Sequence, residues 1–308
     1  MRWSTYRTRD GHEQAAVWHN DRLYPAPGSA SLIELISDDG LAAAADAALA
    51  GEAVDPASVT LLAPVPRPPS IRDFMAFEDH VVTSYAAIGV EVDPLWYAQP
   101  VFYFTNPNSL RASQEPVAIS PGSESFDYEL EIAAVIGLEG SDLRPERALD
   151  HVAGYMLFCD WSARDLQGEE MKLNLGPAKG KDSASSCGPW MATPDELPDA
   201  AAMTASVNGR PYSAGSLGAL YWSFGEMIAY ASRGTRVVPG DLIGSGTVGT
   251  GCILELSRVH GSDAYPWLQP GDQVHLESEG LGAIDARIEP GAPVTPLRQA
   301  PGTEGRRS

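Results

Sequence analysis

The chain has 308 residues, 44% of them hydrophobic, with a formal net charge of −20; it can bury a large core as one large domain or two smaller ones, and its acid excess leaves no basic surface for a nucleic-acid partner. Cys159, Cys187 and Cys252 are odd in number and lack C-x-x-C spacing, which argues against a disulfide framework or zinc knuckle and suits a reducing cytoplasm. Neither a signal-peptide core at the N-terminus nor a run of about 18 apolar residues occurs, so an export signal and a membrane span are not expected.

The chain opens with two alternating segments, "RWSTYRT" and "QAAVWH", separated by "RDGHE", and a third, "RLYPA", follows the turn pair Asn20-Asp21; these read as strands. Two helical stretches come next, "SLIELISDD" and "LAAAADAALAG", the second stopping at Gly51. "APVPRPPS", residues 63–70, carries four prolines and reads as a semi-rigid connector. It divides a small N-terminal α/β module, 1–66, from a larger unit, 67–292. Beyond it lie short β segments, with helices expected at about 74–88, 162–172 and 219–232. Strands and helices do not alternate regularly, which favours a β-rich mixed α+β architecture over a doubly wound parallel sheet. The end, from about 293 to 308, has no periodicity and reads as a disordered tail.

Within "SFDYELEIAAVIG", residues 125–137, strand alternation puts Asp127, Glu129 and Glu131 on one face. The continuation "AAVIG" is apolar on both faces, so the strand runs inward. Glu129 and Glu131 then have Cβ atoms roughly 7 Å apart, close enough for both carboxylates to close on one hard cation. The strand alone leaves two readings open, a metal-binding face or a solvated one. Asp160 stands at the end of the apolar strand "YMLFC", where Ser162 is placed to cap the next helix with Asp165 three residues on. Asp73 falls at the exit of the proline connector, with His80 seven residues later. If that segment is helical throughout, the two lie about 20° from two full turns and face one cavity. A lone Asp near a helix start is more often an N-cap.

Two rival chemistries can be weighed from the residues. "GSGTVG", 244–249, fits a dinucleotide fingerprint, but the following "TGCILELS" reads as a strand, whereas the fingerprint needs a helix N-terminus. Ser162 or Cys159 as a nucleophile lacks a G-x-S-x-G elbow, and a cysteine in "LFCD" reads as core packing. His12, His19, His151, His260 and His275 have no metal-ligand spacing.

"DYELEIAAVIG", "DWSARDLQ", "GPAKGKD", "GSGT" and "LEL", in this order and with these gaps, resemble the fumarylacetoacetate hydrolase superfamily from Asp73 to about Ile288. The resemblance implies a β-rich core of the β-roll type, a variable N-terminal module and a homodimer. It implies that Asp73, Glu129, Glu131 and Asp160 hold Mg²⁺, or in some members Mn²⁺ or Ca²⁺. His80 matches the family's general base and Glu255 its carboxylate partner; without the resemblance, Glu255 reads as an ordinary acid in a strand. Lys181 matches a lysine near the metal, and Arg164, Gln167, Tyr103 and Thr247 match polar groups around the substrate.

Such enzymes cleave a carbon–carbon bond in a β-dicarbonyl acid, so the expected partner is a small anionic oxo acid. Met75 stands where animal members have a tyrosine, which changes the expected substrate. Relatives that decarboxylate oxaloacetate or tautomerise oxo acids usually carry the histidine's glutamate partner three residues after it. Here that position is Thr83, which favours hydrolysis over the alternative of a decarboxylase or tautomerase, although Glu78 is also close. A non-catalytic metal-binding scaffold is a third, weaker reading.

Overall fold

The computed structural model describes residues 1–37, 40–87 and 89–297. It is an α+β fold built mainly on two β-sheets, with a further two-stranded pair, Phe126–Asp127 and Ser162–Ala163, in agreement with the class read from the sequence. The larger sheet runs in the order Arg22–Pro25, Glu13–His19, Arg2–Arg7, Met191–Ala192, Val152–Asp160, Leu130–Ile136, Leu242–Gly244, Ile71–Phe74 and Phe102–Thr105, with three short strands attached off this path. The smaller has five strands, from Arg210–Ser216 to Val117–Ala118. No described helix is long and apolar enough to cross a membrane.

The strand Leu130–Ile136 is buried throughout because each of its faces meets a different core. Leu130, Ile132, Ala134 and Ile136 pack in a cluster with Met203, Ala205, Leu276 and Ile284 of the five-stranded sheet. Ala133 and Val135, on the opposite face, join Leu32, Ile36, Ala45 and Trp3 from the N-terminal segment. Hence "IAAVI" is apolar at every position, as a strand covered on both sides must be. The N-terminal strands do not stand apart: Arg2 and Trp3 pair with Ala192 and Met191 and extend the larger sheet.

Several local expectations are corrected. Asp73 lies in the strand Ile71–Phe74, which pairs in parallel with Leu242–Gly244, and the helix begins only at Glu78; sheet pairing wins over the helical reading of 74–77, so no single helix carries both Asp73 and His80. Ser162 caps no helix. It sits in a two-residue strand opposite Asp127, and Asp165 instead accepts from Ser123 Oγ and the Glu124 N–H. The helix expected from 219 starts at Phe224, behind a capping box of Ser223 and Glu226.

The largest correction concerns "ILELS". Residues Ile253–His260 form an α-helix, not a strand. Cys252 offers no side-chain cap; the cap comes from Asp127, whose carboxylate accepts the N–H groups of Ile253 (2.7 Å) and Leu254 (3.0 Å). A cap supplied from 126 positions away leaves no local signature. The same contact disposes of the dinucleotide reading on different grounds, because the helix N-terminus is already occupied by a buried carboxylate. Of the expected tail, residues 298–308 lie outside the described residues.

Candidate active site

The acids arrive from three strands. Leu130 stands opposite Cys159 in the antiparallel pair of the two central strands, which brings Glu129 beside Asp160; the Asp160 N–H donates to the Glu129 carbonyl at 3.3 Å. Asp73 comes from the strand Ile71–Phe74, beyond Leu242–Gly244 in the same sheet and opposite Gly244. Carboxylate oxygens of Asp73, Glu129 and Glu131 lie within 4.8 Å of one another, and all three residues are buried. Asp160 joins this group through Tyr103, whose single hydroxyl proton is shared between Asp73 and Asp160.

Two cations answer the charge, unevenly. Lys181 Nζ contacts Glu129 and lies 2.7 Å from Asp160 Oδ2. Arg164 lies 2.8 Å from both Glu129 Oε1 and Asp127 Oδ2, and its Nη1 donates to Gln167 Oε1 at 3.2 Å. Burial raises the Glu129 pKa, but Lys181 and Arg164 outweigh it and hold the carboxyl below the usual range. Glu131 has no such partner: burial and the charges of Asp73 and Glu129 push it well up. Burial also lifts Asp73 to about 6 and Asp160 to about 8, against the pull of Lys181. For Lys181, burial works downward, and Asp160 and Glu129 nevertheless keep its pKa above the ordinary value.

Five buried acids, Asp73, Asp127, Glu129, Glu131 and Asp160, thus face two cations. Asp73 Oδ1, Glu131 Oε1 and Asp160 Oδ1 are buried without a hydrogen-bond partner. Unpartnered carboxylate oxygens are costly in a low-dielectric interior, and an all-oxygen donor set suits a hard divalent cation. The residues present therefore fit such an ion. The backbone keeps the space open: a Cβ on Gly244 would meet Asp73 Oδ1 at 2.4 Å, and one on Gly246 would meet the Phe74 carbonyl at the same distance. Gly246 also donates its N–H to Glu131 Oε2 at 3.1 Å. The glycines of "GSGT" thus serve close approach to the acids rather than a phosphate.

A pair of helices completes the site. His80, on Glu78–Ala87, and Glu255, on Ile253–His260, meet with Nδ1 2.5 Å from Oε1. Glu255 Oε2 accepts the Thr250 N–H at 2.9 Å; Thr250 holds that N–H in place with a φ of 65°, an uncommon conformation for a threonine. His80 also lies near the acids, where an imidazolium would favour the ionised Glu129 carboxylate. Glu78 faces away, toward the Tyr97 hydroxyl.

The structure brings Asp73, Glu129, Glu131, Asp160, Lys181, Tyr103, Arg164 and Gln167 into one network, with the His80–Glu255 pair beside it. Thr247 is buried in the loop after Gly246; no side-chain hydrogen bond ties it to the acids. The sequence assigns no role at the site to Asp127 or Cys252. Asp127 was visible in the acidic alternation, but nothing local distinguished it as the anchor of Arg164 and of the distant helix.

A model of the fumarylacetoacetate (FAA) hydrolase C-terminal domain matches residues 70–289. A Burkholderia cenocepacia protein named "putative hydrolase" is 31% identical over 252 residues, 81% of this chain and 84% of that protein. Among solved structures, fumarylacetoacetate hydrolase from Exiguobacterium antarcticum is similar at a TM-score of 0.72 and 26% identity, covering 94% of this chain and 100% of that one. A "probable 2-hydroxyhepta-2,4-diene-1,7-dioate isomerase" from Mycobacterium abscessus reaches 0.74 at 26% identity over 95% and 100%. Maleylpyruvate hydrolase from Sphingobium sp. SYK-6, solved with manganese(II) and pyruvate, shares the fold at 0.73 and 23% identity, again over 95% and 100%. With the family model spanning most of the chain, this chain belongs to the fumarylacetoacetate hydrolase family of enzymes.

Proposed function

We propose that this chain is a metal-dependent hydrolase that cleaves a carbon–carbon bond in a β-diketo acid or acylpyruvate-type substrate. The observation that carries the reading is the His80–Glu255 pair standing beside carboxylates with unpartnered oxygens. In this reading Asp73, Glu129, Glu131 and Asp160 hold Mg²⁺, with Mn²⁺ or Ca²⁺ as alternatives. Such an ion would supply Lewis-acid polarisation of a carbonyl and would stabilise negative charge developing on the substrate.

The remaining steps belong to the chain's own side chains. His80 donates Nδ1–H to Glu255, which leaves Nε2 as the acceptor for a proton from water, and Glu255 stabilises the imidazolium that results. Lys181 keeps a positive charge beside Asp160 and Glu129, where an oxyanion would be stabilised. Arg164, committed to Asp127 and Glu129, fixes the cluster and turns Gln167 by its Oε1, so the Gln167 amide nitrogen remains to donate to a substrate oxygen.

The likeness to an isomerase at 26% identity favours one second reading, in which the same pair moves a proton between carbons of an oxo acid. A screen of acylpyruvates, β-diketo acids and oxaloacetate with Mg²⁺ or Mn²⁺, with products identified by mass, tests both. The expected result is two carboxylic fragments from an acylpyruvate with uptake of one water. A product of unchanged mass would replace hydrolysis by isomerisation, and carbon dioxide from oxaloacetate alone would replace it by decarboxylation.

A further inference from the structure

The carboxylate cluster is not the sole group of metal-binding side chains among the described residues. His80, Cys252 and Glu255 each offer a donor atom, all within 4.8 Å of one another, and all three are buried. Glu255 Oε1 is the hub, 2.5 Å from His80 Nδ1 and 3.6 Å from Cys252 Sγ. Cys252 is a free thiol, held at its place by the pairing of its backbone with Glu129. The two groups differ in chemistry. The first is all oxygen; the second offers imidazole nitrogen, thiolate sulfur and one carboxylate.

Ligand softness separates the ions these groups would take. Carboxylates alone suit Mg²⁺ or Mn²⁺, whereas nitrogen and sulfur donors select ions such as Zn²⁺. Three protein ligands with a fourth position open is a common zinc arrangement. We propose that His80, Cys252 and Glu255 form a second, thiophilic metal site, that Zn²⁺ or an ion like it occupies it, and that occupancy switches the enzyme off.

The protons balance without any change of oxidation state. Cys252 releases its thiol proton to solvent and binds as thiolate. The imidazole proton moves from Nδ1 to Nε2 while the Nδ1 lone pair takes the metal, and the neutral ring keeps one hydrogen. Nε2 then carries that hydrogen and no longer accepts one from water. Glu255, bound to the ion, no longer orients the ring. The inhibitory half rests on His80 acting as the base; the binding half does not.

Two measurements separate these halves. Co²⁺ added to the Mg²⁺-saturated protein is expected to give a thiolate-to-metal charge-transfer band that is absent in Cys252→Ser and present in Cys187→Ser. Zn²⁺ is expected to inhibit turnover with excess Mg²⁺ present, and Cys252→Ser to raise the half-inhibiting Zn²⁺ concentration at least about tenfold, the scale of loss when even an outer-shell group is changed. Cys252→Ala serves for both if the serine variant does not fold. A band that survives the loss of Cys252, or no band in the wild type, overturns the site. With the band present, inhibition that excess Mg²⁺ relieves, or that Cys252→Ser leaves unchanged, overturns the switch. A Cys252-dependent band in a protein that turns over no oxo acid supports the site and refutes the hydrolase reading alone.

Discussion

His80 and Glu255, 175 positions apart, meet with Nδ1 2.5 Å from Oε1 where two helices pack against each other. Glu255 is also held by the Thr250 N–H, so its carboxylate has an anchor besides the imidazole. This matters because a base works only when its tautomer is set. His80→Ala and Glu255→Gln are each expected to lower acylpyruvate hydrolysis by about a hundredfold or more, the usual contribution of general base catalysis, with Mg²⁺ affinity retained. Decarboxylation of oxaloacetate needs no deprotonated water and should respond little to Glu255→Gln. Parallel rates for both reactions, and metal affinity by calorimetry, check this. Loss of Mg²⁺ binding in His80→Ala would make the imidazole a ligand instead.

Removing the divalent ion should cost both activity and stability. With Asp73 Oδ1, Glu131 Oε1 and Asp160 Oδ1 buried and unpartnered, an ion at about 100 times its Kd stabilises the fold by about 2.7 kcal/mol. Thermal melts with and without chelator measure the difference. Glu131→Gln should abolish most of the ion's effect on the melt while raising the stability of the metal-free protein, because it removes a carboxyl that burial and the neighbouring acids force to hold its proton. Equal melts with and without ion would contradict the assignment.

The metal-free protein should be more stable in mild acid than at neutral pH. Asp73 and Asp160 have folded pKa values raised to about 6 and about 8 by burial. A raised carboxyl binds more protons folded than unfolded, so its stabilising contribution is present in acid and is lost as pH rises toward the folded value. The midpoint in urea for chelated protein is therefore expected to fall between about pH 4 and pH 8. Stabilisation by Mg²⁺ should grow over the same window, since binding displaces these protons. Urea titrations at stepped pH give the sign directly; a midpoint that rises with pH in the chelated protein would refute it.

Asp127→Ala should destabilise the protein whether or not ion is present. It strips one partner from the buried Arg164 and leaves the Ile253 and Leu254 N–H groups without an acceptor. Breaking a buried ion pair from one side costs about 3–5 kcal/mol. Denaturant unfolding of the variant is the measurement. A loss below about 1 kcal/mol, comparable to one ordinary helix cap, would show that Arg164 and the helix are held by other contacts.

Much of this protein was legible in its sequence because the signals are local. Strand alternation placed Glu129 and Glu131 together, and their buried setting follows from an "IAAVI" run that is apolar on both faces. The strand ending at Asp160, the N-terminal strands and the α+β class follow from the same short-range periodicity. What escaped it was set at long range. "ILELS" is a helix because Asp127 caps it from another strand, and Asp73 belongs to a strand because Leu242–Gly244 pairs with it. Ser162 is a strand residue for the same reason, through Asp127. Local propensity over such short segments is worth a few tenths of a kcal/mol per residue, less than a buried carboxylate contributes by accepting two otherwise orphaned N–H groups. Tertiary partners therefore decided each of these elements, and with them which acids, which histidine and which thiol share the site.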